Sequence, residues 1–111
     1  MSNRLRTQIW VQAQIRICDR RNIAVFVRHK GDPDAGAVLI KLNGFDDGSI
    51  VLSQITAADD RSQWLRGTGE TPVPDADAEA YIERQLKWDN DLWVLEIEDP
   101  RGEYLEGFGK D

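Results

Sequence analysis

Two carboxylates in a short loop flanked by glycines are the first residues of this chain whose types and spacing could do chemistry. They are Asp32 and Asp34 in Gly31-Asp32-Pro33-Asp34-Ala35-Gly36, with the single histidine, His29, just upstream. Oxygen ligands on a tight loop are what a hard cation requires. Aligned with the calcium-loop pattern from Asp32, however, the match fails: Gly36 replaces a ligand, Ala37 the turn glycine and Asn43 the bidentate glutamate. No metal is therefore assigned. Asp, Pro and Gly are also what a tight turn selects for backbone reasons, so the loop reads first as a turn and second as a recognition loop. His29, Asp32 and Asp34 are carried as candidate binding residues, and His29 also reads as a hydrogen-bonded structural histidine.

Other chemistries find less. No Gly-x-Ser-x-Gly elbow and no phosphate-binding loop is present. Gly67-Thr68-Gly69-Glu70 lacks both the Lys-Ser/Thr pair and the third glycine that such a cradle needs. Cys18 is the only cysteine, so one chain can build neither a disulfide nor a thiolate zinc site, and the thiol reads as packing. The pairs Asp59-Asp60, Asp89 with Asp91, and Glu96 with Glu98 are common products of an acid-rich chain. Only Glu96 and Glu98, on one strand face, could tune each other if buried, and pairing with N-terminal arginines is the alternative. No catalytic residue and no cofactor is assigned. Of the tryptophans Trp10, Trp64, Trp88 and Trp93, all but Trp64 fall on core faces, which leaves Trp64 as a candidate interface anchor.

Charge narrows the partners. The chain has 111 residues and a net charge of -6, which opposes general nucleic-acid binding. That charge is unevenly spread: residues 1 to 30 hold Arg4, Arg6, Arg16, Arg20, Arg21, Arg28 and Lys30 against Asp19 alone, a net +6, leaving −12 for the rest. The basic segment either lies across the acidic remainder or faces an acidic partner or a second copy. No apolar run is long enough to span a membrane, and the N-terminal residues lack a signal-peptide pattern, so a cytoplasmic address is expected.

The elements that must position these residues belong to one domain over 1–111 and follow from periodicity. Leu5 to Arg21 fits both an alternating strand and a helical face; its length and lack of Gly and Pro select helix, while its β-branched content keeps strand open. Ile23 to Lys30 and Ala37 to Asn43 read as a hairpin around the Asp loop. Pairing Lys30 with Ala37 sets Val27 opposite Ile40 and Val25 opposite Leu42, gathering these four with Val38 on one face. Strands at Ile50 to Ile55 and Gln63 to Arg66 continue a meander, separated by a turn at 57–61. A helix from Asp75 to Asp89 with an acidic first turn, a buried strand at Leu92 to Glu98 and a short final strand at Glu103 to Leu105 complete the chain. The expected fold is α+β, an antiparallel sheet of four to six strands with two helices on one face, in the order α-β-β-β-β-α-β-(β).

The run Lys30 to Leu39, with Pro72-Val73-Pro74, Tyr81-Ile82-Glu83-Arg84-Gln85 and Asp91-Leu92-Trp93-Val94, resembles a family of small alphaproteobacterial proteins of unknown function. The likeness spans about Ile9 to Asp99. It implies a bacterial cytoplasmic protein with a helical first segment, and it carries over no activity, cofactor or catalytic residue.

The leading expectation is a non-enzymatic protein-interaction or structural module, with a protein partner or a second copy as ligand and no membrane contact. The alternative is a small-molecule or divalent-cation-dependent enzyme or binding domain built on Asp32 and Asp34. Nucleic-acid contact through Arg4, Arg6, Arg16, Arg20 and Arg21 ranks last.

Overall fold

A computed structural model describes residues 6–56 and 62–107. Helix α1 (Thr7–Arg20) comes first, so the helical periodicity prevails over the strand alternation. It ends in a Schellman motif: Asn22 takes the left-handed conformation at φ 58°, its N–H donates to the Asp19 carbonyl and the Ile23 N–H donates to the Cys18 carbonyl at 2.8 Å. Strands β1 (Val25–His29), β2 (Val38–Asn43), β3 (Ser49–Thr56) and β4 (Ser62–Arg66) follow, then α2 (Asp75–Trp88), β5 (Trp93–Glu98) and α3 (Glu103–Gly107).

The fold is α+β, with a five-stranded sheet in the order β1-β5-β2-β3-β4. It is mostly antiparallel, as expected, but β2 and β5 run parallel. The expected β1–β2 hairpin is not formed, because β5 inserts between the two strands. Its most buried residues, Leu95 and Ile97 at 0% exposure, gain a ladder on both sides, where a β1–β2 hairpin would leave β5 at an edge. The face assignment survives the insertion. Val25 lies across Ile97 from Leu42, and Val27 across Leu95 from Ile40, so the expected cross-strand pairs persist with one strand between them.

The helices do not share a face. α1 and α3 pack through Val11, Cys18 and Tyr104 on Val38, Ile40, Leu42, Leu95 and Ile97. α2 packs through Ala78 and Ile82 on Leu39, Val51 and Val94, which point the other way. Central strands buried on both sides read as continuous apolar runs and require cover on both faces. The expected last strand is instead α3, started by Asp99: its carboxylate accepts the Tyr104 and Leu105 N–H groups, both at 3.0 Å. The turn at 57–61, with Asp59-Asp60, and the segments 1–5 and 108–111, with Arg4, lie outside the described residues.

Leu95→Ala is expected to lower the unfolding free energy by about 3 kcal/mol. Leu65→Ala, on a side chain 51% exposed, should change it by no more than about 0.5 kcal/mol. Urea denaturation of the two variants checks the contrast.

Candidate functional site

The Asp loop crosses the start of β5 and is built into the fold. Asp32 receives the Ala35 N–H on Oδ2 at 3.2 Å, its own N–H donates to the Asp91 carbonyl, and its carbonyl accepts the Trp93 indole N–H at 2.8 Å. Asp34 meets Arg6 at 3.4 Å, with both side chains exposed. The loop carbonyls cap α1, which has no side-chain cap of its own: Gln8 N–H donates to Pro33, and the Thr7 N–H and hydroxyl donate to Asp34 and Gly36. A Cβ on Gly31 or Gly36 would overlap the Asp91 carbonyl oxygen, which accounts for both glycines. His29 donates from Nδ1 to the Leu92 carbonyl at 2.7 Å, since a carbonyl can only accept. Neither of the two cavities described below is lined by His29, Asp32 or Asp34.

Trp64 is half-buried, stacked on Trp10 with ring centroids 5.6 Å apart and packed against the α1 core. Trp88 takes the opposite role. Read as core from its helical position, it closes the last turn of α2 at 87% exposure, away from the face that Ala78 and Ile82 bury. Burial pushes the Cys18 thiol up to about 11, against the opposing pull of Arg21, so it stays protonated and serves packing.

The densest group of ionisable side chains lies on the α2 face. Lys41, in the central strand β2, is 2% exposed. Its ammonium donates to Asp75 Oδ1 at 2.5 Å and Glu79 Oε2 at 2.6 Å, with Glu96 at 3.9 Å. Lys41 and Glu96 are register partners across the parallel β2–β5 ladder. Arg28 grips Glu79 at 2.8 Å and Glu96 at 2.5 Å. Asn43 joins by donating to Glu96 Oε2 and accepting the N–H of Phe45. Phe45 sits in the left-handed region at φ 59° and is 54% exposed, an uncommon conformation for a bulky residue. These side chains line an open cleft of about 550 Å³.

Burial alone would lower the Lys41 ammonium, but its hydrogen bonds to Asp75 and Glu79 and the charge of Glu96 outweigh it, and its pKa rises. The hydrogen bond from Arg28 brings the Glu79 carboxyl down to about 2, with Lys41 assisting against desolvation. The same bond to Glu79 raises Arg28. The cluster is thus an electrostatic clamp in which Glu79, Lys41 and Arg28 stay charged at neutral pH. Sequence reasoning did not assemble it, although a lone charge in each of two otherwise apolar runs, Val-Leu-Ile-Lys-Leu and Trp-Val-Leu-Glu-Ile, was the available signal.

The second cavity, a groove of about 390 Å³, lies on the α1 face between α1 and the β1 edge, lined by Gln8, Val11, Gln12, Ile15, Val27, Lys30 and Trp93. On the opposite face of the same edge strand, Phe26 is 50% exposed. Among the described residues no group of three or more His, Cys, Asp or Glu side chains is arranged to hold a metal ion, and no helix is long and apolar enough to cross a membrane.

Residues 5–106 match the family model described as "Protein of unknown function (DUF1491)". The chain belongs to the DUF1491 family. A crystal structure of a DUF1491 family protein from Caulobacter crescentus CB15 is similar at 36% identity, covering 91% of this chain and 94% of that one, with a TM-score of 0.79. An NMR structure of a DUF1491 family protein from the same organism matches at 37% identity and TM-score 0.76, covering 88% of each chain. The solution structure of protein Atu0922 from A. tumefaciens matches at 28% identity and TM-score 0.71, covering 86% of each. No curated protein matches this DUF1491 chain.

Since the folded Glu79 carboxyl sits near 2 against an ordinary 4.5, its contribution is complete above its unfolded pKa and is lost as pH falls through the folded value. Stability should therefore decline from about pH 4.5 toward pH 2. Glu79→Gln should flatten that limb while lowering stability at neutral pH, as read from urea midpoints across the range.

Proposed function

We propose that this domain is a cytoplasmic, non-enzymatic protein-interaction module that meets its partner along the α1/β1 side of the sheet. The observation that carries the reading is the edge strand β1, whose side chains expose apolar surface on both faces, Phe26 at 50% and Val27 at 43%. Edge strands are ordinarily covered, charged or shortened because they template pairing with other chains. Here the apolar edge adjoins an apolar-floored groove with amide walls, the composition of a recognition surface.

The ionic cluster favours the non-enzymatic side of the reading. General acid–base catalysis draws on groups titrating near the working pH, whereas Glu79 is held near 2 and Lys41 and Arg28 are raised. A small-molecule or cation site at Asp32 and Asp34 draws less support, because one carboxylate closes its own turn and the other meets Arg6.

A photo-crosslinking amino acid at Val27, compared with one at exposed Glu83 on α2, tests the proposal in living bacteria. A discrete protein adduct from position 27 that is absent from position 83 is expected. Failure of position 27 to yield any adduct sinks the reading.

A further inference from the structure

We infer that the partner contributes an acidic, extended segment that adds a sixth strand beside β1. This rests on the interaction-module reading and specifies its ligand. The backbone sets the mode of binding. The Glu98 N–H donates to the Ala24 carbonyl at 3.0 Å, and the same register pairs Phe26 with Glu96. Hydrogen-bonded and open pairs alternate along an antiparallel ladder. Val25 and Val27 therefore turn their N–H and C=O groups away from β5, toward the side where no strand lies among the described residues. Extended donors and acceptors at alternate residues are what strand addition uses. The register shift between Val27 and His29 interrupts the ladder, which resumes at His29 with Val94, so the regular alternation that strand addition uses lies in the first part of β1.

An added strand would point alternate side chains to the two faces. On one face they meet the groove beside Gln12, Ile15 and Lys30, and on the other the exposed ring of Phe26. Charge selects the partner. Arg28 is consumed by Glu79 and Glu96, Arg6 meets Asp34, and Arg21 reaches the Glu103 carbonyl. Arg16, Arg20 and Lys30 are exposed and have no ion-pair partner among the described residues. In a chain with 20 acidic and 14 basic residues, unpaired cations along α1 and at the end of β1 run against the bulk charge and complement an acidic ligand. Symmetric β1–β1 pairing of two copies would instead gather both sets of cations at one seam.

The test titrates 15N-labelled full chain with a peptide of about eight residues alternating Val and Glu, a length that spans an ordinary strand. Comparison peptides alternate Val with Lys or carry N-methyl groups on alternate amides. The acidic peptide should protect the Val25 and Val27 amides from hydrogen exchange, and rising salt should weaken it by about tenfold or more. The N-methylated peptide should not bind, and Arg16→Glu with Lys30→Glu should shift preference to the lysine peptide. Binding without protection at Val25 and Val27 overturns strand addition, and equal binding of the lysine peptide overturns the acidic ligand. Concentration-dependent dimerisation that protects both amides without peptide overturns the inference in favour of a second copy. If the acidic peptide fails to bind while the position-27 adduct still forms, the inference falls and the interaction reading stands; loss of both removes both.

Discussion

The parallel pairing of β2 with β5 is the constraint on which the remaining structure depends. It gives the two most apolar strands partners on both edges and cover on both faces, so Ile40 and Leu95 meet α1 while Leu39 and Val94 meet α2. It displaces β1 to an edge. It also obliges the chain between β1 and β2 to pass over the beginning of β5, where only glycine fits against the Asp91 carbonyl at positions 31 and 36. The Asp loop, the cap of α1 and the exposed rim of β1 are all consequences of one strand inserting between two others.

The buried Lys41 is legible in the same terms. A charge in a central strand is costly unless paired and hydrogen-bonded, and Lys41 is satisfied only because the parallel register sets Glu96 beside it and α2 brings Asp75 and Glu79 over it. A slip of one residue between β2 and β5 would carry Glu96 to the α1 face and leave the ammonium facing apolar neighbours. The network contributes register specificity as well as attraction, and through Asn43 it reaches the strained turn at Phe45.

Much of the architecture was legible in the sequence where patterns are local. The strands at Val38–Asn43, Ser49–Thr56 and Trp93–Glu98, the acidic start of α2, the α+β class and the family resemblance all follow from residues close in the chain. Strand order was not legible, because Val25 and Val27 satisfy the same face whether they lie beside Leu42 and Ile40 or one strand away. Trp88 shows the limit of periodicity differently: at about 3.6 residues per turn it falls about 80° around the helix from Ala78 and about 120° from Ile82, outside the face that α2 buries. The ionic clamp was hidden because it joins residues from four separated elements, while the Asp loop stood out by composition that the backbone needs for its own sake.

The strand that fills the gap between β1 and β2 is the last one in the chain order, and this shapes how the protein is born. During synthesis β1 and β2 leave the ribosome with a vacancy between them that no preceding segment can fill, whereas β2, β3 and β4 can already associate as neighbours. Closure of the sheet waits for contacts of long sequence separation, which slows folding and prolongs exposure of unpaired apolar strands. A nascent chain halted before β5 would present two adhesive margins in place of a finished core, so the fold couples the completeness of translation to its own solubility.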